Sequence, residues 1–418
     1  MKLHWQILIA LVLAVFIGSA SSSLEAIFGF SLLPSFDFIG SLFLNALKMI
    51  IVPLIVSSII VGISNIERDG SFARMGGKTM LYYVCTSAIA IMIGLVLVML
   101  IQPGVIDGQP AQQVLGLHAD TAAVAERVGG SSGSDIVAIF LRLIPSNVIH
   151  AAAEGQMLGL IFFSLLFGYF IAHCGENSQH ALKGFFQGLF EVMMKITNLV
   201  MRFAPLGVFA LVAAVIARSG LGVFIPLAKF FFTVVAALLL HLLVVLPLLL
   251  KLVAGVNPIK HFQAMAPALL TAFSTSSSAA TLPMTMDCIE KRAGVSNQSS
   301  SFVLPLGATI NMDGTALYEC VAALFIAQAY GLELGMVQQF TVVSLALMTS
   351  IGVAGIPSAS LVAITIILAA MGLPIEGIGL ILAVDRILDM SRTAVNIFSD
   401  SCGAVIIARS EGEETKLV

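Results

Sequence analysis

The segment DRILDMSRTAVNIFSD, residues 385–400, places charged side chains inside otherwise apolar sequence. On a helix at about 100° per residue, Asp385, Asp389, Arg392, Asn396 and Asp400 fall within an arc of about 80° and form one inward-facing stripe. A guanidinium in apolar surroundings needs an anion, and its N–H donors match a carboxylate bidentately. Asp389 lies one turn away and could neutralise Arg392, or it could equally bind an ammonium. Together the two charges predict a site for an acidic amino acid. The alternative is a purely structural set of intramembrane ion pairs.

Two apolar segments carry small polar residues at their middles, at 268–286 and 345–368. Ser, Thr, Gly and Pro favour turns that compete with a continuous helix, so each segment is predicted to dip into the membrane, turn and return. Each is followed by a helix with its own polar interruption, and this repetition predicts a transporter site where the two halves meet. The tip residues Ser276, Ser277 and Ser278 would bind an α-carboxylate through their N–H groups, together with the Asn396 amide.

The stretch NMDGT, residues 311–315, predicts an unwound turn that offers carbonyl oxygens and the Asp313 carboxylate to monovalent cations. Asn311, Thr315 and Glu319 recur every four residues and share a helix face. Asp313 points about 200° away on that helix and is expected to serve another neighbour.

Composition identifies an integral membrane protein, because 59% of the 418 residues are apolar, 10% are charged and the mean hydropathy is +1.04. Apolar runs near the length of a membrane-spanning helix recur along the chain. The net charge of −3 and the lack of a long basic run argue against nucleic acid as a partner. The spacing of the five cysteines and seven histidines suggests neither disulfides nor a transition-metal site.

Loop charges predict the orientation. Arg68, Arg74 and Lys78 follow the second apolar span, which places this loop and the N-terminus in the cytoplasm. Residues 103–134 are small and polar and are expected to form a flexible outer loop. The first apolar run is interpreted as a membrane span, with a signal peptide as the alternative.

Six motifs in order resemble one family. They are KMIIVPLIVSSIIVGI at 48–63, YYVCTSA at 82–88, SSSAATLP at 276–283, NMDGTALYE at 311–319, GIPSAS at 355–360 and DMSRTAVN at 389–396. The whole chain resembles the dicarboxylate/amino acid:cation symporters, which include archaeal aspartate transporters and animal excitatory amino-acid transporters.

The resemblance implies an all-α integral membrane protein with an elevator-type transporter fold. It would have eight transmembrane helices and two re-entrant helical hairpins with inverted repeats, and it would form a homotrimer in the inner (plasma) membrane with cytoplasmic termini. The resemblance implies that residues 1–255 form mostly the trimerisation scaffold, with span 79–102 contributing to the transport domain. Residues 256–410 would form the transport core, which consists of hairpin 260–291, helix 298–329, hairpin 335–371 and helix 374–409. Residues 411–418 would form a cytoplasmic tail.

The resemblance also implies roles for individual residues. Arg392 would clamp the substrate's side-chain carboxylate, and Asp389 would accept its ammonium. Further substrate contacts would be Asn396, Thr393, Thr315 and Ser276 to Ser278, with Gly355 and Ile356 at the second tip. The implied sodium sites are Gly307, Asn311, Asn396 and Asp400; then Thr309, Met312, Ser350, Ile351 and Val353; and third Tyr83, Thr86, Ser87, Asn311 and Asp313.

The chain departs from parts of the family. Archaeal members carry arginine where this chain has Ser276, and animal acidic transporters carry it at the position of Met390. This chain instead has Arg386, as proton-coupled bacterial members do, yet it has Asp400 where those members have asparagine. Asp400 favours sodium as the coupling ion and leaves potassium counter-transport open.

The expected function is symport of glutamate or aspartate with sodium ions, which are co-transported and not a cofactor. Glu319 is the candidate proton carrier, because burial disfavours an ionised carboxyl and animal acidic transporters have glutamate there. The alternatives are a purely proton-coupled glutamate or C4-dicarboxylate symporter, and an anion-conducting channel. An intramembrane hydrolase is a third class, but no Ser–His pairing can be proposed from the sequence.

Overall fold

The computed structural model describes residues 3–28, 31–64, 70–115, 144–153, 157–352 and 359–417. Within these ranges the protein is mostly helical, with one two-stranded hairpin, β1 (Val105–Ile106) and β2 (Gln109–Pro110). The α-helices of five residues or more are α1 (Leu3–Phe28), α2 (Leu33–Ser64), α3 (Gly70–Ile101), α4 (Ala111–Leu115), α5 (Val148–Ala153), α6 (Met157–Ile171), α7 (Glu176–Arg202), α8 (Ala204–Ser219), α9 (Phe224–Leu240), α10 (Pro258–Thr275), α11 (Ser278–Asp287), α12 (Asn297–Ile310), α13 (Asp313–Ala329), α14 (Met336–Gly352), α15 (Ala359–Met371) and α16 (Ile378–Ser410).

Three helical stretches in the described part of the chain are long and apolar enough to cross a membrane, judged by length and composition: Arg74–Ile101, Leu221–Ala254 and Asn297–Ala329. The second is α9 continued through π-helical turns at His241–Val245 and Leu250–Ala254. The third has the lowest hydropathy, 1.2, and its most apolar window is entirely buried inside the protein. It is therefore suited to carry polar groups that face other helices.

Helices α10 and α11 form a helical hairpin. Pro258 begins α10, and the side chain of Asn257 caps it by accepting from Ile259 N at 2.9 Å. The helix ends because Ser276 adopts the left-handed conformation, with φ 52°. Ser277 is extended, and its hydroxyl accepts from Ala280 N at 3.2 Å to cap α11. The turn predicted within 268–286 is confirmed.

The helix that follows is broken at its middle. Helix α12 ends at Ile310 and α13 begins at Asp313, while Asn311 and Met312 have non-helical backbone. The unwound turn predicted at NMDGT is therefore confirmed. Helix α13 is almost entirely buried, and it packs against α3, α9, α14, α15 and α16.

Helices α14 and α15 pack together as a second pair. The residues between them, 353–358, lie outside the described residues, and the predicted tip positions Val353, Gly355 and Ile356 are among them.

The expectation of one flexible loop over residues 103–134 is wrong for its first part. Residues 105–110 form the β-hairpin, and α4 follows it. Gly104 accounts for the regular structure of this part, because its N–H donates to Gln328 Oε1 at 3.3 Å and an added Cβ would lie 2.5 Å from Ala329 N. This close approach fixes the start of the segment against α13. Residues 116–134 lie outside the described residues.

The residues after α16 fold back onto the base of the first hairpin. Glu413 accepts from Ser296 N at 2.9 Å, and Lys416 N donates to the Ala293 carbonyl at 2.9 Å. Asn257 N donates to the Leu417 carbonyl at 2.9 Å, and the Leu417 side chain is buried. The terminal segment thus connects both ends of the hairpin to α16.

Candidate functional site

Helix α16 carries a buried network of alternating charges. Arg392 is 1% exposed, and its Nη2 donates to Asp389 Oδ1 at 2.7 Å while its Nη1 donates to Asp385 Oδ1 at 3.2 Å. The guanidinium carbon lies 3.8 Å from the centre of the Tyr318 ring, and the Tyr318 hydroxyl donates to Asp385 Oδ1 at 2.9 Å. Two carboxylates and one aromatic face therefore hold the Arg392 side chain.

The broken helix lies directly against this stripe. The Asn396 side chain bridges the two helices, since its Oδ1 accepts from Gly314 N at 2.8 Å and its Nδ2 donates to Thr315 Oγ1 at 3.1 Å. Glycine is required at 314, because an added Cβ would lie 2.7 Å from the Arg392 carbonyl oxygen. Thr315, Asn396 and Arg392 are thereby brought together.

The positions of the other predicted substrate residues do not test whether they contact a substrate. The Thr393 hydroxyl donates to the Asp389 carbonyl of its own helix at 2.8 Å. Ser276, Ser277 and Ser278 are buried at the hairpin turn, and α11 packs against α16. Ser276 Oγ has no hydrogen-bond partner among the described residues. Their substrate contacts stay predictions.

Asn311 and Asp400 meet at the helix break. Asn311 Nδ2 donates to Asp400 Oδ1 at 2.9 Å, and both side chains are buried. Asn311 Oδ1 and Asp400 Oδ2 have no hydrogen-bond partner within the described ranges. An added Cβ at Gly307 would lie 2.6 Å from Asp400 Oδ1 and 2.8 Å from the Tyr83 hydroxyl. These two oxygens, which lack a hydrogen-bond partner among the described residues, lie near the backbone of Gly307 and are ligands that suit a hard cation.

Asp313 lies at the start of α13, where three side chains contact its carboxylate. Ser87 Oγ donates to Oδ1 at 2.6 Å, while Ser399 Oγ donates to Oδ2 at 2.6 Å and His241 Nε2 lies 3.0 Å from Oδ2. All four side chains are buried.

The expectation that Asp313 serves other neighbours is confirmed by Ser87 and His241, but its expected separation from the Asn311 face is wrong. Ser399 Oγ accepts from Asn311 Nδ2 at 3.1 Å while it donates to Asp313, so one hydroxyl joins both residues. The angle of about 200° assumes a continuous helix, and the break at 311–312 removes that assumption.

The remaining predicted ion ligands are dispersed. Tyr83 donates through its hydroxyl to the Val303 carbonyl at 2.7 Å, and Thr86 donates to the Tyr82 carbonyl of its own helix at 3.0 Å. Thr309 is exposed. At the same predicted site, Met312 is buried, and the Ser350 hydroxyl donates to the Leu347 carbonyl at 2.8 Å. Ile351 is the second-last residue of α14. Val353 lies outside the described residues.

Glu319 is buried at the contact between α13 and α14. Thr349 Oγ1 donates to its Oε2 at 2.6 Å, and its Oε1 has no partner among the residues described. Glu319 is thus directed to the second helix pair, whereas Thr315, one turn earlier, is directed to α16.

Sequence reasoning missed five side chains of these networks: His241, Tyr318, Thr349, Asp385 as a partner of Arg392, and Ser399. Two of them carried a signal. His241 interrupts an otherwise apolar run, and Asp385 lies on the polar stripe that predicted Arg392.

The structure contains one Ser–His contact that could not be proposed from the sequence. His261 Nε2 lies 2.9 Å from Ser401 Oγ, and both side chains are buried. The Ser401 hydroxyl also donates to the Phe398 carbonyl at 2.7 Å, and His261 Nδ1 has no partner in the described part of the chain. Among the described residues, no carboxylate orients this histidine as in a hydrolytic triad, and the pair joins α10 to α16 instead.

Buried charges on one helix, a facing helix with an unwound turn and a helical hairpin beside both are typical of secondary transporters. The comparisons agree with this class. The sodium:dicarboxylate symporter family model matches residues 3–410, and the chain belongs to this family. The resemblance found in the motifs is confirmed. Because the family is one of transporters, membership argues against an enzyme.

Curated relatives match over nearly the whole chain. A "Proton/sodium-glutamate symport protein" of Bacillus caldotenax is 36% identical, with 98% of this chain and 95% of the relative covered. A "Proton/glutamate-aspartate symporter" of Escherichia coli (strain K12) is 36% identical, covering 98% and 93%. "Excitatory amino acid transporter 3" of Homo sapiens is 38% identical, covering 91% and 80%.

Proposed function

We propose that this protein is a secondary active symporter that takes up glutamate or aspartate together with sodium ions. The observation that carries the proposal is the buried Arg392, which is held between Asp389 and Asp385 beside the Thr315–Asn396 bridge. A cation and an anion one helical turn apart match the side-chain carboxylate and the ammonium of an acidic amino acid. The names of the relatives support the same substrates.

Substrate binding would exchange partners within the network. Arg392 would turn one N–H edge of its guanidinium from an aspartate to the side-chain carboxylate of the substrate, and Asp389 would accept the ammonium. Asp385 and the Tyr318 ring would keep the remaining part of Arg392 in place. The exchange conserves buried ion pairs, which limits the cost of taking charge out of water. Ser276 to Ser278 and Asn396 would receive the α-carboxylate.

Sodium ions would travel as cargo with the substrate. The unpartnered oxygens of Asn311 and Asp400 fit a cation, as does the carboxylate of Asp313. Gly307 and Tyr83 complete the surroundings of Asp400. We propose Thr309, Met312, Ser350, Ile351 and Val353 as a further ion site on the strength of family membership.

Glu319 would carry a proton. It is buried, and one of its two oxygens accepts from Thr349 of α14. Because this carboxyl lies between α13 and the second helix pair, a rearrangement of that pair would change its surroundings and so its protonation. The relatives named as proton-coupled support the proposal.

Family membership supports the architecture that we propose for the whole molecule. The protein would have eight membrane-spanning helices and two re-entrant hairpins, α10–α11 and α14–α15, in a trimer whose transport core, residues 256–410, slides past a scaffold in an elevator cycle. The N-terminus and the tail would be cytoplasmic, because Arg74 and Lys78 lie at the start of α3. The membrane would be the plasma membrane.

The test is Arg392→Thr in protein reconstituted into liposomes. Loss of the guanidinium should reduce aspartate and glutamate binding at least about a hundredfold, since a charged hydrogen bond contributes about 3 kcal/mol in such a site. Serine or alanine should gain binding, because neither needs the missing partner. Arg409→Thr is the matched control, since Arg409 lies in the last turn of the same helix and donates to the Glu413 carbonyl. Unchanged aspartate affinity in Arg392→Thr would refute the proposed clamp.

A further inference from the structure

One serine hydroxyl on α16 lies between the residues proposed to bind cations. Ser399 Oγ donates to Asp313 Oδ2 at 2.6 Å and accepts from Asn311 Nδ2 at 3.1 Å. The same Asn311 nitrogen donates to Asp400 Oδ1 at 2.9 Å. All four side chains are buried. A chain of hydrogen bonds therefore runs from Asp313 through Ser399 and Asn311 to Asp400.

The carboxylates at the two ends determine the direction of every hydrogen bond in this chain. An ionised carboxylate only accepts, so Asp313 takes the single hydroxyl hydrogen of Ser399. Ser399 can then only accept from Asn311. Because Asp400 also needs a donor, both hydrogens of the Asn311 amide nitrogen are used.

The orientation of the Asn311 amide follows from these bonds. Its nitrogen faces Ser399 and Asp400, so its oxygen faces the other way. Asn311 Oδ1 and Asp400 Oδ2 are the oxygens without a hydrogen-bond partner among the described residues, and they are the ones offered to a cation. A flipped amide has nearly the same shape but would present N–H hydrogens to the ion. Ser399 and Asp400 both oppose that flip.

Neighbouring helices hold this chain in place from outside it. Ser87 of α3 donates to Asp313 Oδ1 at 2.6 Å, and His241 Nε2 lies 3.0 Å from Asp313 Oδ2. The Tyr82 hydroxyl, also on α3, donates to the Ser399 carbonyl at 3.0 Å. Asp313 therefore has other contacts that keep its position, whereas Ser399 is the group that connects it to Asn311.

We propose that Ser399 is a positioning residue for cation binding: it holds the Asn311 amide with its oxygen toward the ion and thereby makes the Asn311–Asp400 pair depend on Asp313. The inference rests on the proposed function, since it requires sodium at this pair. Ser399 acts through Asn311 and does not itself bind the ion.

The experiment is a sodium titration of aspartate binding in unmodified protein and in Ser399→Ala. The half-saturating sodium concentration should rise about three- to tenfold in the variant, because the Asn311 amide loses one neutral hydrogen bond that fixes its orientation. At saturating sodium, the aspartate dissociation constant should stay within about twofold, because the contacts around Arg392 are unchanged. A rise of less than about threefold in the sodium concentration would overturn the proposal, as would an equal loss of aspartate affinity at saturating sodium.

Ser401→Ala is the matched control, because it removes another buried hydroxyl from the same helix. Ser401 Oγ lies 2.9 Å from His261 Nε2 and donates to the Phe398 carbonyl at 2.7 Å. This variant should leave the sodium titration within about twofold of that of unmodified protein. If its titration shifted as far as that of Ser399→Ala, the effect would belong to the helix and not to the Ser399 hydroxyl.

A double-mutant cycle separates an effect through Asn311 from a direct effect on Asp313. Asn311→Ser has no amide to orient, so adding Ser399→Ala to it should change the half-saturating sodium concentration by less than about twofold. A larger further rise would show that Ser399 acts on Asp313 directly and would overturn the proposal. If Ser399→Ala does not fold, Ser399→Cys, whose thiol is a weak donor and acceptor, must meet the same criteria.

Failure of this inference is distinct from failure of the proposed function. Unmodified protein whose aspartate binding does not depend on sodium would contradict the function itself. Sodium-dependent binding that is the same in Ser399→Ala would contradict only the role of Ser399.

Discussion

Asp400→Asn tests the proposed coupling to sodium most directly. Asp400 is 1% exposed, and it uses Oδ1 to accept from Asn311 Nδ2 at 2.9 Å. Asparagine has the same shape and keeps that bond if its amide oxygen takes the place of Oδ1. Its NH₂ group then replaces Oδ2, which has no partner in the described residues. The substitution removes a negative charge and turns an acceptor into a donor at the position proposed for the cation.

The magnitude follows from the loss of one charged contact. Such a contact contributes about 1.5–3 kcal/mol, so sodium affinity should fall about ten- to 150-fold. Sodium and substrate binding are linked reciprocally, so substrate affinity at low sodium should fall as well. Raising the sodium concentration should restore it, because the substrate contacts around Arg392 are unchanged.

The assay is a sodium titration of aspartate binding, with choline replacing sodium to hold the ionic strength constant. Asp37→Asn is the matched control, because Asp37 is 42% exposed and pairs with Arg218 at the surface. A surface pair contributes at most about 1 kcal/mol to stability, and this one lies outside the proposed ion sites. If the titration of Asp400→Asn superimposes on that of unmodified protein, Asp400 is not a sodium ligand.

Two further predictions concern other carboxyl groups. Glu319→Gln keeps the shape and removes the titration, so net uptake should lose its response to an imposed pH gradient while sodium-dependent exchange survives; an unchanged response would exclude Glu319 as the carrier. Hydrogen bonds from Lys78 and Arg74 hold the pKa of Glu411 below its usual value of about 4.3. The pairs therefore stabilise tail attachment at neutral pH, and this stabilisation is lost as the pH falls through the lowered pKa of Glu411. Amide exchange of residues 411–417, corrected for its intrinsic pH dependence, should rise there, and Glu411→Gln should raise it already at pH 7; equal protection would contradict this.

The features predicted correctly from sequence have local causes. The turn at Ser276 and Ser277 follows from polar residues that cap and break helices within a few positions. The break after Ile310 follows from a short run of Asn, Asp and Gly in apolar sequence. The pairing of Arg392 with Asp389 is between neighbours on one helix face.

The features that sequence reasoning missed depend on distant parts of the chain. Asp313 binds side chains that lie 72, 86 and 226 positions away, on three different helices. The spacing of residues within NMDGT does not indicate which distant side chains contact Asp313. The helical angle also failed there, because the break turned Asp313 toward Ser399 and so toward Asn311. Tyr318 was missed because an aromatic residue in an apolar helix has the same pattern whether it packs in the core or lies under a guanidinium.

The placement of these charges bears on why cargo binding should require cations. On α16, Arg386 and Arg392 balance Asp385 and Asp389, so this network is neutral before an acidic amino acid adds its net negative charge. The remaining aspartates of the site are Asp313, whose described partners are two hydroxyls and His241, and Asp400, which accepts from an amide. Neither has an arginine or lysine partner in the part of the chain that the structure describes, and buried carboxylates are costly without a counter-charge. Sodium at these two positions would offset both charges and part of the field that opposes an anionic substrate. Removing one carboxylate should therefore change the sodium dependence of binding while leaving the preference for an acidic substrate, which Arg392 sets, intact.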